Sequence, residues 1–257
     1  MNHEPTSPLR SRSEPIAIIG MGCRIPGAET VHQFWELLRD GIDATGEMPP
    51  ERSHYRQPGS SGRLITQRGG FLNDIEHFDP YFFGISPRDA VGIDPQQRLL
   101  LETAWRAAED AGVTSNELKN SRTGVFAAIC TDDYHEMLQA QAPEAEFQVY
   151  FSSLRPNGPG RVSYALGLTG PSIIVDSACS SSLVAVHLAV RSIQAGDCEL
   201  AFAGGASLLL SMSFTRAYMR GGLLSPDGKC HTFSGQANGF VRSEGAGMIL
   251  LKRLSRA

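Results

Sequence analysis

Apolar and polar positions fall into runs that predict strands and helices in alternation. Order begins at Pro15, where Ile16-Ala17-Ile18-Ile19 reads as a short strand closed by Gly20-Met21-Gly22. Thr30 follows as an N-cap, with Phe34, Trp35, Leu37 and Leu38 at helical spacing and Gly41 as the stop. From Ile42 to Gly70 the composition turns to Pro, Gly, Ser and Arg, which predicts a long surface excursion. The aromatic stretch Phe71 to Ile85 is expected to fold back onto the core. Ser86-Pro87 and Asp94-Pro95 each place a capping residue before a proline, so one short helix and one longer helix, through about Ala111, start there.

Further strands are predicted at Arg122 to Cys130, Pro171 to Val175, Leu200 to Leu210 and Met248 to Leu251, with a helix over Arg161 to Leu168. The segment Ser180 to Gln194 carries Leu183, Val184, Val186, Leu188, Val190 and Ile193 around its whole circumference, the pattern of a buried helix. Near-continuous apolar strands such as Ser172-Ile173-Ile174-Val175, alternating with helices, indicate an α/β fold around a buried mixed sheet. Residues 1–13 are polar and rich in Pro, Ser and Arg, which predicts a flexible tail before a single domain over 14–257.

Composition narrows the function classes. The 257 residues carry a net charge of −4 with signs mixed along the chain, so there is no electrostatic footprint for nucleic acid. Five cysteines without regular spacing argue against a disulfide framework or a zinc site and for a reducing, cytoplasmic setting. The longest apolar stretch, Leu200 to Phe214, is broken by Gly204, Gly205 and serines, short of the roughly 18–20 residues of a membrane span.

The stretch from Ser172 to Leu183 is where chemistry concentrates. A strand ends, small residues turn the chain, and a helix begins with Cys179 at the turn. A helix N-terminus favours an anion, so the thiolate form of Cys179 gains there, and a backbone N–H of the turn can receive an oxyanion. The arrangement is similar to the elbow of hydrolases, although Gly-x-Ser-x-Gly is absent. Spacing and composition leave two readings of Cys179 open: a nucleophile, or a small buried apolar side chain. None of the seven histidines is supplied by pattern as its base. His187 lies eight residues along the helix, roughly 12 Å away at about 1.5 Å per residue, and His231 reads as a solvated loop residue. Gly20-Met21-Gly22 fails as a dinucleotide loop because the third glycine falls at Gly27. Arg155, Arg161, Arg216, Arg220 and Arg242 read as scattered surface arginines.

Asp176-Ser177-Ala178-Cys179-Ser180-Ser181-Ser182-Leu183 closely resembles the active-site motif of β-ketoacyl synthases, whose second position is usually Thr. Further matches run along the chain: Glu14 to Arg24, Phe82 to Arg88, Asp94 to Glu102, Gly160 to Tyr164, Leu224 to Gly228 and Gly239 to Gly245. Asp94-Pro95-Gln96-Gln97-Arg98 resembles the modular polyketide synthase branch. The resemblance implies a thiolase-like fold and an acyltransferase, a ketosynthase in which Cys179 accepts an acyl chain for decarboxylative Claisen condensation. It implies no bound cofactor or metal. It implies substrates carried on the phosphopantetheine arm of an acyl carrier protein, and an intact domain that is a homodimer.

Two positions depart from the family pattern, Ser234 and Asn238, where Asp is common. The family's two histidine motifs, His-Gly-Thr-Gly-Thr and Gly-His, belong to a C-terminal half and do not occur in this sequence. The expectation is therefore the N-terminal half of the fold, incomplete for condensation and paired with a complementary half. The competing readings are a non-catalytic half-domain that pairs with another chain or carrier, and a cysteine thioester hydrolase.

Overall fold

A computed structural model describes residues 14–50, 52, 68–142, 144 and 146–257; the expected tail over 1–13 lies outside them. The chain runs β1 (Ile16–Arg24), α1 (Val31–Asp40), β2 (Gly46–Glu47), β3 (Arg68–Gly69), α2 (Pro87–Gly92), α3 (Pro95–Asp110), α4 (Ser115–Leu118) and β4 (Thr123–Ala128). It continues through α5 (Asp133–Gln141), α6 (Phe147–Ser152), α7 (Asn157–Leu166), β5 (Ser172–Val175), α8 (Ser181–Ala195), β6 (Leu200–Ser207), α9 (Met212–Arg220) and β7 (Gly245–Arg253). No described helix is long and apolar enough to cross a membrane.

Five strands form one mixed sheet in the order β1-β7-β6-β4-β5. β4, β5 and β6 run parallel, while β7 is antiparallel to both β1 and β6. Alternation along the strands sends side chains to two helical layers. Val125, Ala127, Phe202, Met248 and Leu250 join the core formed with α3 and α7, whereas Phe126, Ala201, Ala203 and Leu251 pack with Ala185, Ala189 and Ile193 of α8. Fully burying one of these larger side chains contributes about 1.5–3 kcal/mol.

The two proline-opened helices form where expected. Ser86 Oγ accepts from Asp89 N–H, and the Asp94 carboxylate accepts from Gln96 N–H. Asp94 is fully buried, and that burial pushes its carboxyl up to about 7 against the opposing Gln96 bonds. A carboxyl raised in the folded state stabilises fully at low pH and loses that contribution as pH rises through about 7. Asn caps as well as Asp without ionising. Asp94→Asn is therefore expected to gain on the wild type by about 2–3 kcal/mol between pH 5 and pH 8 in urea unfolding. A difference that stays flat with pH would refute the buried-acid account.

Several sequence expectations are corrected. β1 does not stop before its glycines but runs on to Arg24. A Cβ at Gly20 or Gly22 would strike the carbonyl oxygens of Ala107 or Thr103, so these glycines admit α3 onto the sheet. β5 is not buried along its length: it is the sheet edge, and Ile173 is 42% exposed. α8, apolar on all sides, buries only the face toward β6 and β4; Leu183 is 75% exposed and Leu188 36%. The excursion over 42–70 has its two ends joined by the β2–β3 pair. In the aromatic stretch, Leu72 and Ile75 are buried and Phe78 and Phe83 pack on the core, yet Tyr81 and Phe82 remain exposed.

Candidate active site

Because β4, β5 and β6 are parallel, their carboxyl ends open on one edge of the sheet, where crevices form in such folds. A cavity of about 450 Å³ lies there. Its walls are Ala128 at the end of β4, Cys130 and Thr131 just beyond it, Asp176 after β5, the turn residues Ala178 and Cys179, Ser181 and Ser182 of α8, and Gly205 to Ser207 of β6. Phe214 and Tyr218 of α9, with Arg242, close the far side.

Cys179 sits in the middle of a short 3-10 turn, Ala178–Ser180, between the end of β5 and the start of α8. Its side chain is exposed into this region, so the apolar-core reading of Cys179 does not describe it. Ala178 just before it has φ +56°, a left-handed conformation that costs an alanine roughly 1–2 kcal/mol. Local hydrogen bonds hold the turn: Ser177 N–H donates to Ser181 Oγ at 2.8 Å, and Ser181 Oγ donates to the Ala178 carbonyl at 2.6 Å. Asp176 Oδ1 accepts from Ala178 N–H at 3.1 Å. That N–H, and after it the Arg155 guanidinium, hold the Asp176 carboxyl below the usual carboxylate range.

The sequence reading missed most of the other walls. Cys130 reaches Ser181 Oγ at 3.2 Å, and burial pushes its thiol up. Arg242, read as a scattered surface arginine, instead faces the cavity. It donates to Thr215 Oγ1 at 2.7 Å and lies over the Tyr218 ring at 5.4 Å; burial pulls its guanidinium pKa down, opposed by Asp133. Arg161 is half-buried and donates to Gln97 Oε1 at 3.1 Å, while Arg155 bridges Asp132 and Asp176. The parallel topology was the one available signal, since it requires residues just past β4 and β6 to meet those just past β5.

No described histidine lines the cavity. His187 is exposed on α8. His231 is not simply solvated: its Nε2 lies 3.0 Å from Asp227 Oδ2. Asn238 Nδ2 donates to the same oxygen at 3.1 Å, a contact that a carboxylate at 238 could not make. Ser225, then His231, hold the Asp227 carboxyl well below its ordinary range. Among the described residues no three His, Cys, Asp or Glu side chains converge as a metal site requires.

A mixed sheet between helical layers, with a cysteine turn at the carboxyl edge of its parallel strands, is the thiolase-like architecture of the condensing enzymes. The model of the β-ketoacyl synthase N-terminal domain matches residues 13–257, and the chain belongs to that family. It is 44% identical over 252 residues to a component of the phenolphthiocerol/phthiocerol polyketide synthase of Mycobacterium tuberculosis, covering 95% of this chain and 14% of that protein. It is 46% identical over 254 residues to the spectinabilin polyketide synthase system protein NorA' of Streptomyces orinoci, covering 98% of this chain and 7% of that one. Among solved structures, the module 6 ketosynthase of the Bacillus subtilis bacillaene synthase superposes with a TM-score of 0.81 at 38% identity, covering 94% of this chain and 40% of that one. An oxazolomycin ketosynthase domain of Streptomyces albus gives 0.84 at 38% identity, covering 95% and 43%. The chain thus spans a small fraction of the curated relatives' length and less than half of each ketosynthase structure.

Proposed function

We propose that residues 14–257 form the acyl-accepting half of a polyketide-type β-ketoacyl synthase, with Cys179 as the nucleophile. The observation that carries this reading is the exposed Cys179 thiol on a strained turn beside a cavity of about 450 Å³. Its sulfur, as thiolate, attacks the thioester carbonyl of a chain carried on the phosphopantetheine arm of an acyl carrier protein. A carbon–sulfur bond forms, a backbone N–H of the turn receives the oxyanion, and the carrier thiol departs after taking a proton from solvent. Thiolate also leaves readily, so Cys179 can pass the acyl group to the carbanion of a decarboxylating malonyl-type extender. No described histidine faces the cavity, so we assign acyl loading to this chain and leave condensation to a complementary half carrying the histidine motifs. The uncovered Leu183 and Leu188 on α8 support such a covering half. The intact domain is proposed to be a homodimer.

Incubation of the chain with a small acyl thioester, read by intact mass and peptide mapping, tests this. One acyl group on the Cys179 peptide is expected, with no ketoacyl product after addition of malonyl-loaded carrier protein. Efficient ketoacyl formation would overturn the division of labour. Continuous free-acid release without a carrier would favour the hydrolase reading, and a chain that never becomes acylated would favour a non-catalytic half-domain.

A further inference from the structure

We infer that Arg155 is a positioning residue for Cys179: acting through Asp176, it holds the turn that presents a backbone N–H to the oxyanion. The inference rests on the acyl-transfer reading above. Arg155 lies in the link between α6 and α7, outside both strands that it ties together. Its Nη1 donates to the Ile129 carbonyl at 3.2 Å and to Asp176 Oδ2 at 2.8 Å, while Nε donates to Asp132 Oδ1 at 2.8 Å. The β4–β5 ladder ends at the pair Ala128 and Val175, so Ile129 and Asp176 are the next residues on each strand. One guanidinium therefore continues the connection a step past the last backbone pair.

The step matters because of what Asp176 does with its other oxygen. Oδ1 accepts from the N–H of Ala178, the left-handed residue immediately before the nucleophile. A residue in that conformation stays there only when its surroundings over-determine it. Ser181 supplies two of the constraints, the Cys130 thiol at 3.6 Å from the Ala178 carbonyl a third, and the Asp176 carboxylate a fourth, on the Ala178 N–H. Asp176 is itself kept from turning away by the bond to Arg155. An exposed ion pair would be worth little, but the Arg155 side chain is 27% exposed and forks between two carboxylates and a carbonyl, a geometry that fixes orientation. Without the guanidinium, Asp132 and Asp176 lose the cation they share, and Asp176 is released to swing off Ala178.

The test compares Arg155→Met and Arg155→Lys with the wild-type chain in three measurements: acylation by a small thioester, alkylation by iodoacetamide, and amide hydrogen exchange. Arg155→Met is expected to lower the acylation rate at saturating thioester by about tenfold or more, with KM within about twofold. Alkylation of Cys179 should stay within about twofold, because displacement at a saturated carbon forms no oxyanion. Exchange in the peptide spanning residues 175–182 should quicken about tenfold while the rest of the sheet is unchanged. Arg155→Lys, which keeps a cation but not the fork, should recover part of the acylation rate. Unchanged acylation and exchange in Arg155→Met would overturn the inference. So would equal losses of acylation and alkylation, or faster exchange across the whole chain. If wild-type Cys179 alkylates but never acylates, the acyl-transfer reading fails, and the local exchange result still decides whether Arg155 holds the turn.

Discussion

Replacing Cys179 by alanine is expected to abolish covalent acylation, a loss of about 10³-fold or more, because the attacking atom is gone. The control is Cys130, whose thiol lines the same cavity and is the one other described cysteine there. Burial raises its pKa, so less of it is thiolate at neutral pH, and its sulfur is engaged with Ser181. Cys130→Ala keeps the attacking sulfur and should accordingly still form the acyl adduct, at a rate lowered only as far as the loss of its contacts with Ser181 and the Ala178 carbonyl loosens the turn. Intact mass after incubation with an acyl thioester separates the cases. An acyl adduct that persists in Cys179→Ala and disappears in Cys130→Ala would transfer the role to Cys130.

The largest expected loss of stability comes from Glu244→Ala, at about 3–5 kcal/mol. The Glu244 side chain is fully buried and the Arg52 guanidinium nearly so. Glu244 Oε1 accepts from Arg52 Nη1 and from Leu209 N–H at 2.9 Å, and Oε2 accepts from Leu72 N–H at 2.8 Å. Arg52 also donates to the Leu72 carbonyl at 2.7 Å. Removing the carboxylate leaves a buried cation without its counter-charge and two backbone donors without acceptors. Glu244→Gln keeps one acceptor oxygen and should fall between the alanine variant and the wild type. Urea midpoints measure all three; a shift below about 1 kcal/mol for alanine would mean that water replaces the lost contacts.

Local chemistry made part of the fold legible. Ser86-Pro87 and Asp94-Pro95 mark α2 and α3 because a cap and a fixed φ act within one turn. Gly41 ends α1 in a left-handed cap, as its spacing predicts. The helix expected over Arg161 to Leu168 instead runs Asn157–Leu166, stopped by a left-handed Gly167. The short α4, α5 and α6 escaped prediction: α6 has no buried residue, and α4 and α5 have one each, so little apolar periodicity marks them. α9 is amphipathic but buries only Thr215. The errors at β5 and α8 share a cause. Apolar content reports what a segment prefers to meet, not which of its faces has a neighbour in this chain. Ile173 on the sheet edge and Leu183 on α8 are apolar and exposed.

By itself the sequence determined the strand–cysteine–helix order around Cys179, the caps of the helices and the family, since each is written in contiguous residues. Only the tertiary structure decided the surroundings of that cysteine. Cys130, Arg155 and Arg242 are distant from Cys179 along the chain, and none carries a local signal for the site. Cys130 meets Cys179 because the parallel β4 and β5 bring their carboxyl ends to one edge, while Arg155 comes from the α6–α7 link and Arg242 from the segment before β7. The strained φ of Ala178 is likewise invisible in an alanine codon; it persists because Ser181 and Asp176 hold it.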